Sequence, residues 1–193
     1  MFNPFETNTN DVQFLLDNAG KDILINGETK KALITNPSIS EAEERYIHTL
    51  LSVSRGDLIE LEGDNYLVIT ESVNKRNSKF KALIRHCNYE IEVAGETTRV
   101  IVGYNQFGEP IYEDIVGKPS YVPSIVDKNS FSVSEPSAIR LPDNQISVIV
   151  QGNDTNNEKF TVNFQFTVMG SEWKVINRDF TKNGLLILIC ESV

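Results

Sequence analysis

"RGDLIELEGDNYLVIT", residues 55–70, decides how this chain is read. Two short apolar runs, "DLIEL" and "YLVIT", flank the turn formers Glu62-Gly63-Asp64-Asn65. Side chains alternate across a strand, so Tyr66, Val68 and Thr70 share one face of the second run and Leu67 and Ile69 the other. Two such runs around a tight turn predict a hairpin. The same stretch opens with Arg55-Gly56-Asp57, the tripeptide that cell-adhesion receptors recognise. We read it instead as the bend that launches a strand. Gly56 supplies backbone freedom and Asp57 a local hydrogen bond.

The pattern repeats outward from this hairpin. Upstream, Asn26-Gly27 sits between the β-type runs of "DILINGETKKALIT", a strong signal for a two-residue hairpin turn. Before it, Asn10 is placed to cap a short helix, "DVQFLLDNA", that Gly20 stops. The first residues form an apolar arm, with Phe2 and Phe5 around Pro4. Residues 38–53 are ambiguous. Apolar positions 39, 42, 46, 47, 50 and 51 fit a helix face with Ser40 and Glu43 as a capping box, whereas "RYIHTLL" has good β-propensity. The helix is the expectation we carry forward. Downstream, "KFKALIRHCNYEIEV" reads as one long strand. Several short strands joined by tight turns predict a small barrel or sandwich and not a parallel α/β sheet.

Residues 94–130 change in texture. "TRVIVGYNQFGEPIYEDIVGKP" predicts an extended hairpin over 99–116, with Asn105, Gly108 and Pro110 around its tip. Pro119 and Pro123 then predict a stiff connector. From about residue 131 a second β unit is expected, with strands in "FSVS", "QISVIVQ", "EKFTVNFQFTVM", "EWKVIN" and "GLLILICES" and turns such as "GNDTNNE" between them. Positions 160, 162, 164, 166 and 168 are all apolar, which predicts one half-buried antiparallel strand. The expected fold is therefore mainly β. An N-terminal small β-barrel, residues 1–125, carries a short helix and a projecting hairpin; residues 126–193 form an immunoglobulin-like sandwich or a similar small barrel.

Charge and composition narrow the function classes. The net charge is −9, with 27 acidic against 18 basic residues spread over both halves. Such a surface gains nothing from counterion release on phosphates, so tight wrapping by nucleic acid is not expected. It suits a wall past which DNA slides. No apolar run approaches the roughly 20 residues that cross a bilayer as a helix. The N-terminus has no basic start followed by an apolar stretch, so no secretory signal is read, and Asn153-Asp154-Thr155 is taken as an incidental glycosylation pattern. Cys87 and Cys190, the only cysteines, both lie in β-type runs, where a free thiol behaves as a small hydrophobe; a reducing cytosol is the expected compartment of synthesis.

Signals for catalysis are poor. His86 adjoins Cys87 in a strand, so the two side chains point to opposite faces and do not make a nucleophile pair. No metal-ligand spacing, glycine-rich phosphate cradle or nucleophile elbow occurs. No catalytic, cofactor or metal residue is therefore assigned. The informative outliers are aromatics on projecting elements: Phe2 and Phe5 on the arm, and Tyr104, Phe107 and Tyr112 on the 99–116 hairpin. Either they pack back on their own domain or they anchor a partner. Trp173, the single tryptophan, lies within "EWKVIN" and is assigned to the core.

The succession "INGETKKALIT … RYIHTLLSVSRGDLIELEGDNYLVITES … KFKALIRHCNYEIEV" resembles head–tail connector proteins of long-tailed bacteriophages, in particular head-closure (stopper) barrels and their adaptor relatives. "GYNQFGEPIYED" resembles the hairpin such barrels project towards neighbouring subunits. "ISVIVQGNDTNNEKFTVNFQFTVMGSEWKVINRDFTKNGLLILI" is similar to immunoglobulin-like domains appended to phage structural proteins. One departure stands out: simple stoppers are a single barrel, and this chain adds a second domain. The resemblance implies a non-enzymatic virion protein, assembled in the host cytoplasm as a homo-oligomeric ring at the head–tail junction. Its arm and helix would dock on a neighbouring connector, portal-side or tail ring. Its hairpin would contact the adjacent subunit or help gate DNA, which passes the channel without specific binding. A different class of reading, a tail-associated carbohydrate- or surface-binding module, would use an exposed Trp173.

Overall fold

The computed structural model describes residues 10–38, 43–75, 79–128, 142 and 144–193. It begins with helix α1 (Asn10–Ala19), which ends where the Gly20 N–H bonds the Leu16 carbonyl. Leu16 is its buried residue and packs the helix on the first sheet. Six strands then follow: β1 (Lys21–Ile25), β2 (Glu28–Thr35), β3 (Glu44–Thr49), β4 (Leu58–Leu61), β5 (Asp64–Val68) and β6 (Val73–Lys75), before the longer β7 (Lys79–His86). Asn26-Gly27 and Glu62-Gly63 take positive φ angles and make the two tight turns read from the sequence.

The sheet order is β3-β2-β1-β4-β5-β7-β6, and β3 also pairs with β7. That last pairing closes the sheet into a barrel. Its interior holds Ile23, Ile25, Ile47, Ile59, Tyr66 and Ile84 among others. The closure explains why the helix expected over 38–53 does not form in the described part of that segment. Glu44–Thr49 is the strand that joins β2 to β7, with Ile47 and Thr49 buried. Pairing on both edges outweighs a local helical pattern, and the β-propensity of "RYIHT" agrees with it. Residues 39–42, including Ser40 of the expected capping box, lie outside the described residues.

The long strand expected over 79–93 breaks at Cys87-Asn88. The Asn88 side chain accepts from the Val126 N–H and donates to the Val126 carbonyl, at 2.8 and 2.9 Å. Beyond the break, β8 (Tyr89–Val93) leaves the first barrel and joins the second sheet. The remaining elements are β9 (Thr97–Tyr104), β10 (Pro110–Val116), β11 (Ser120–Asp127), β12 (Gln145–Gln151), helix α2 (Asp154–Lys159), β13 (Gln165–Val168), β14 (Ser171–Asp179) and β15 (Leu185–Ser192). The second sheet runs β13-β14-β15-β12-β11-β8. Its end strands β13 and β8 approach each other, so the sheet is nearly closed around a core that includes Ile91, Val148, Phe160, Phe166, Trp173 and Leu188. Of the two forms open to this unit, it takes the barrel-like one.

Three local expectations change. The boundary placed at 125/126 falls inside β11, and the sheets divide earlier, between His86 and Tyr89. Pro123, expected in a connector, lies in β11 opposite Glu90; β12 pairs only from Ile125 onward, so the missing N–H at Pro123 interrupts no ladder on that side. The single strand expected over 158–169 is short. "DTNNEK" forms α2, capped by the Asn153 side chain on the Asn156 N–H, and Asn163 turns at φ 71. Phe160, Phe166 and Val168 are buried, whereas Val162 is half exposed, so the alternation marks a core without an unbroken strand. "FSVS" lies outside the described residues.

A third apolar cluster joins the two sheets: Leu67, Ile69, Leu83 and Cys87 from the first, Ile125, Ile149, Leu185 and Ile187 from the second. Strand β5 is therefore covered on both faces, with Tyr66 and Val68 inside the barrel and Leu67 facing this seam. The Arg55-Gly56-Asp57 bend stands beside the seam. Gly56, at φ 91, lies so close to Gly184 that a Cβ there would stand 1.8 Å from the Gly184 carbonyl oxygen. Arg55 Nε donates to the Asn183 carbonyl at 2.8 Å and its guanidinium pairs with Glu71. Asp57 accepts from the Ser54 N–H and from Asn26 Nδ2.

Candidate functional site

The chain between β8 and β11 leaves the second sheet as the two-stranded ribbon β9–β10, which among the described residues pairs only with itself. At about 3.3 Å per residue the eight residues of β9 reach on the order of 26 Å. Two glycines pinch its base. A Cβ on Gly95 would meet the Gly117 carbonyl carbon at 2.4 Å, and the Gly117 N–H bonds the Glu96 carbonyl at 3.0 Å. The two chains thus enter the arm at a separation that side chains would not permit.

The arm holds its shape by polar contacts. Arg99 Nε donates to Asp114 at 2.9 Å, and its guanidinium carbon stands 5.6 Å from the centre of the Tyr112 ring. At the tip, Asn105 Oδ1 accepts from the N–H groups of Phe107 and Glu109, while Asn105 Nδ2 donates to Glu109 Oε2. Gly108 takes φ 79 and donates its N–H to the Asn105 carbonyl. A well-bonded turn of this kind fixes where Phe107 is presented.

Apolar residues occupy both faces of the ribbon. Ile101 and Tyr112 are cross-strand partners on one face, and Ile115 lies opposite Thr98 on the other. A bulge between Ile111 and Tyr112 re-aims the outer part of the arm. Every residue of β10 is exposed. Phe107 is 81% and Tyr104 67% exposed, with Ile101, Val102, Ile111, Tyr112, Ile115 and Val116 each about half exposed or more. An isolated two-stranded ribbon is marginal in water, and this one leaves its apolar side chains in solvent.

Of the sequence-derived interface residues, the arm brings Tyr104, Phe107 and Tyr112 together, and all three point into solvent rather than back on their own domain. Phe2 and Phe5 lie outside the described residues. The aliphatic members Ile101, Val102, Ile111, Ile115 and Val116 were not singled out, although "RVIVGY" and "PIYEDIV" lack the clean alternation of a strand with one wet face. Phe14 and Leu15 form a second exposed apolar spot, on α1.

Other chemistry-bearing side chains are tied into the scaffold. Trp173 is buried, with Nε1 donating to the Val168 carbonyl at 3.2 Å, which removes the basis for an aromatic sugar platform. His48 shares a 2.9 Å hydrogen bond with Thr35 Oγ1; burial, with Lys79 and Lys81 nearby, pushes its pKa down to about 4. Burial pushes the thiols of Cys87 and Cys190 up to about 12. The His86 ring packs against Tyr66 with the two planes tilted by 60°, and it faces Glu43 at 3.6 Å; Glu43 also accepts from the Tyr66 hydroxyl and pairs with Arg45. This cluster links the segment before β3 to β5 and β7. Among the described residues, no group of three or more His, Cys, Asp or Glu side chains is placed to hold a metal ion, and no helix is long and apolar enough to cross a membrane.

Comparison with known proteins gives the chain a family. Residues 21–191 match the YomX C-terminal domain, and the chain belongs to that family. It is 25% identical over 164 residues to the SPbeta prophage-derived uncharacterized protein YomX of Bacillus subtilis (strain 168), covering 83% of this chain and 74% of that protein. This homology points to a phage protein. Among solved structures, the K. pneumonia MrkH–c-di-GMP complex aligns over 97% of this chain and 87% of its own, with 10% identity and a TM-score of 0.21.

Proposed function

We propose that this chain is a non-enzymatic structural protein of a phage virion, acting at the head–tail junction as one subunit of a homo-oligomeric ring. The observation that carries the reading is the β9–β10 arm, which holds apolar side chains on both faces in water while the two barrels behind it are packed and joined by an apolar seam. A rigid body with an unburied, internally braced arm is built to be completed by other subunits. The net charge of −9 supports a ring that DNA passes without being gripped. The prophage origin of its relative supports the virion setting.

Deletion of residues 103–112 tests this. The shortened ribbon keeps its pinched base and the body keeps both cores, so the variant is expected to fold. Phage carrying it should accumulate unjoined heads and tails, and the variant should be missing from purified particles. Normal particle yield with the variant incorporated would overturn the assignment.

A further inference from the structure

The arm needs a receiving surface, and the second barrel carries one that matches it. Where the end of β14 pairs with the first half of β15, beside the seam residue Ile187, lies an open depression of ≈ 620 Å³. Its lining includes Phe180, Ile187 and Ile189 as apolar members and Arg178, Lys182 and Asp179 as charged ones. Asp179 already accepts from the Thr181 N–H at 2.7 Å. Arg178 donates to the Asn157 carbonyl and lies 4.8 Å from the centre of the Phe180 ring, but its Nε is buried without a hydrogen-bond partner among the described residues. The depression is thus apolar with a cationic surplus, on a chain of net charge −9. The arm is its complement. Phe107 stands out at the tip, and three carboxylates, Glu109, Glu113 and Asp114, accompany the single cation Arg99, which Asp114 already pairs.

We propose that the arm tip of one copy seats in this depression of a second copy, with Phe107 against Phe180 and Ile189, and Glu109 facing Lys182. This rests on the reading of the protein as self-assembling through its arm, and it names the surface that receives the arm. The two patches differ, so the contact is heterologous. Each pairing leaves one free arm and one free depression, and such contacts propagate into a closed ring or an open chain.

The test uses the full chain in sedimentation velocity, with circular dichroism to establish that each variant is folded. The unaltered chain should form species larger than a dimer. An arm variant, Phe107→Asp, and a depression variant, Phe180→Asp with Lys182→Glu, should each be monomeric; Phe107 and Phe180 are exposed and Lys182 is half-buried. Mixed together, they should give a 1:1 dimer that grows no further, because only one intact arm and one intact depression can meet. If the depression variant fails to fold, a charge exchange replaces it. Glu109→Lys and Lys182→Glu should each weaken assembly about tenfold, and the doubly exchanged chain should recover it. An arm variant that is monomeric beside a depression variant that assembles normally would overturn this inference and leave self-assembly through the arm intact. An unaltered chain that is monomeric at its highest soluble concentration would overturn it too, and particle incorporation then decides the broader function.

Discussion

Strand β5 and the β9–β10 arm share one property, apolar side chains on both faces, and they meet opposite fates. Tyr66 and Val68 of β5 fill the first barrel, while Leu67 is covered across the seam by residues of the second. Ile101, Tyr112 and Ile115 of the arm find no such cover among the described residues. A strand that is apolar on both sides needs a layer on each. For β5 this chain supplies both layers; for the arm the described residues supply neither. The contrast separates apolar surface that holds the chain's own fold together from apolar surface left in water.

Truncating the seam should give the largest effect on the folded monomer. Leu67→Ala leaves a cavity under two packed layers and should lower the free energy of unfolding in urea by about 2–5 kcal/mol. A loss below roughly 0.5 kcal/mol, the range typical of exposed positions, would erase the distinction between β5 and the arm. Gly56→Ala should follow, at about 2–3 kcal/mol. It places a Cβ where the Gly184 carbonyl oxygen stands and puts a side chain at φ 91.

Acid sharpens the comparison from another side. His48 has a folded pKa of about 4 against an unfolded value of 6.5, so between those values the unfolded chain binds a proton that the folded one does not. Stability should be unaffected by this group above about pH 6.5 and fall as the pH drops towards 4. His48→Asn should remove that slope, measured as the difference between the two chains in urea titrations; identical slopes would show that the histidine titrates freely.

Arm substitutions mark the small end of the scale. Phe107→Ser should change the unfolding free energy of the monomer by no more than about 0.5 kcal/mol, since the ring touches little of its own chain. A loss comparable to that of Leu67→Ala would mean that the arm packs on its own body. Least of all, Cys87 and Cys190 should fail to react with a water-soluble disulfide reagent at neutral pH, because both thiols are buried and held up to about 12. Prompt labelling of Cys87 would show that the seam opens.

Much of this architecture was legible because its signals are local. Asn26-Gly27 and Glu62-Gly63 announce their turns through the backbone angles they allow, and α1 ends at Gly20 as written. The 99–116 hairpin was readable from Asn105, Gly108 and Pro110, and Tyr104, Phe107 and Tyr112 followed from it. Residues 44–49 stayed ambiguous between helix and strand, because β7, whose pairing closes the barrel through them, lies far away along the chain. The break at Asn88 was hidden for the same reason: it is made by Val126. The alternating apolar run 160–168 was read as a strand because its period says which residues are buried, not what backbone carries them there.

The sequence by itself determined that this is a mainly β chain of tight hairpins, with two cysteines suited to burial and an aromatic-tipped arm. These follow from side-chain alternation, turn chemistry and composition, which act over a few residues. Only the tertiary structure decided that the first sheet closes through β3 and β7, that β8 belongs to the second sheet, and which apolar faces find cover. It also decided the meaning of Arg55-Gly56-Asp57. Its glycine exists in contact with Gly184, and that proximity is created by two sheets packing together, which no local pattern encodes.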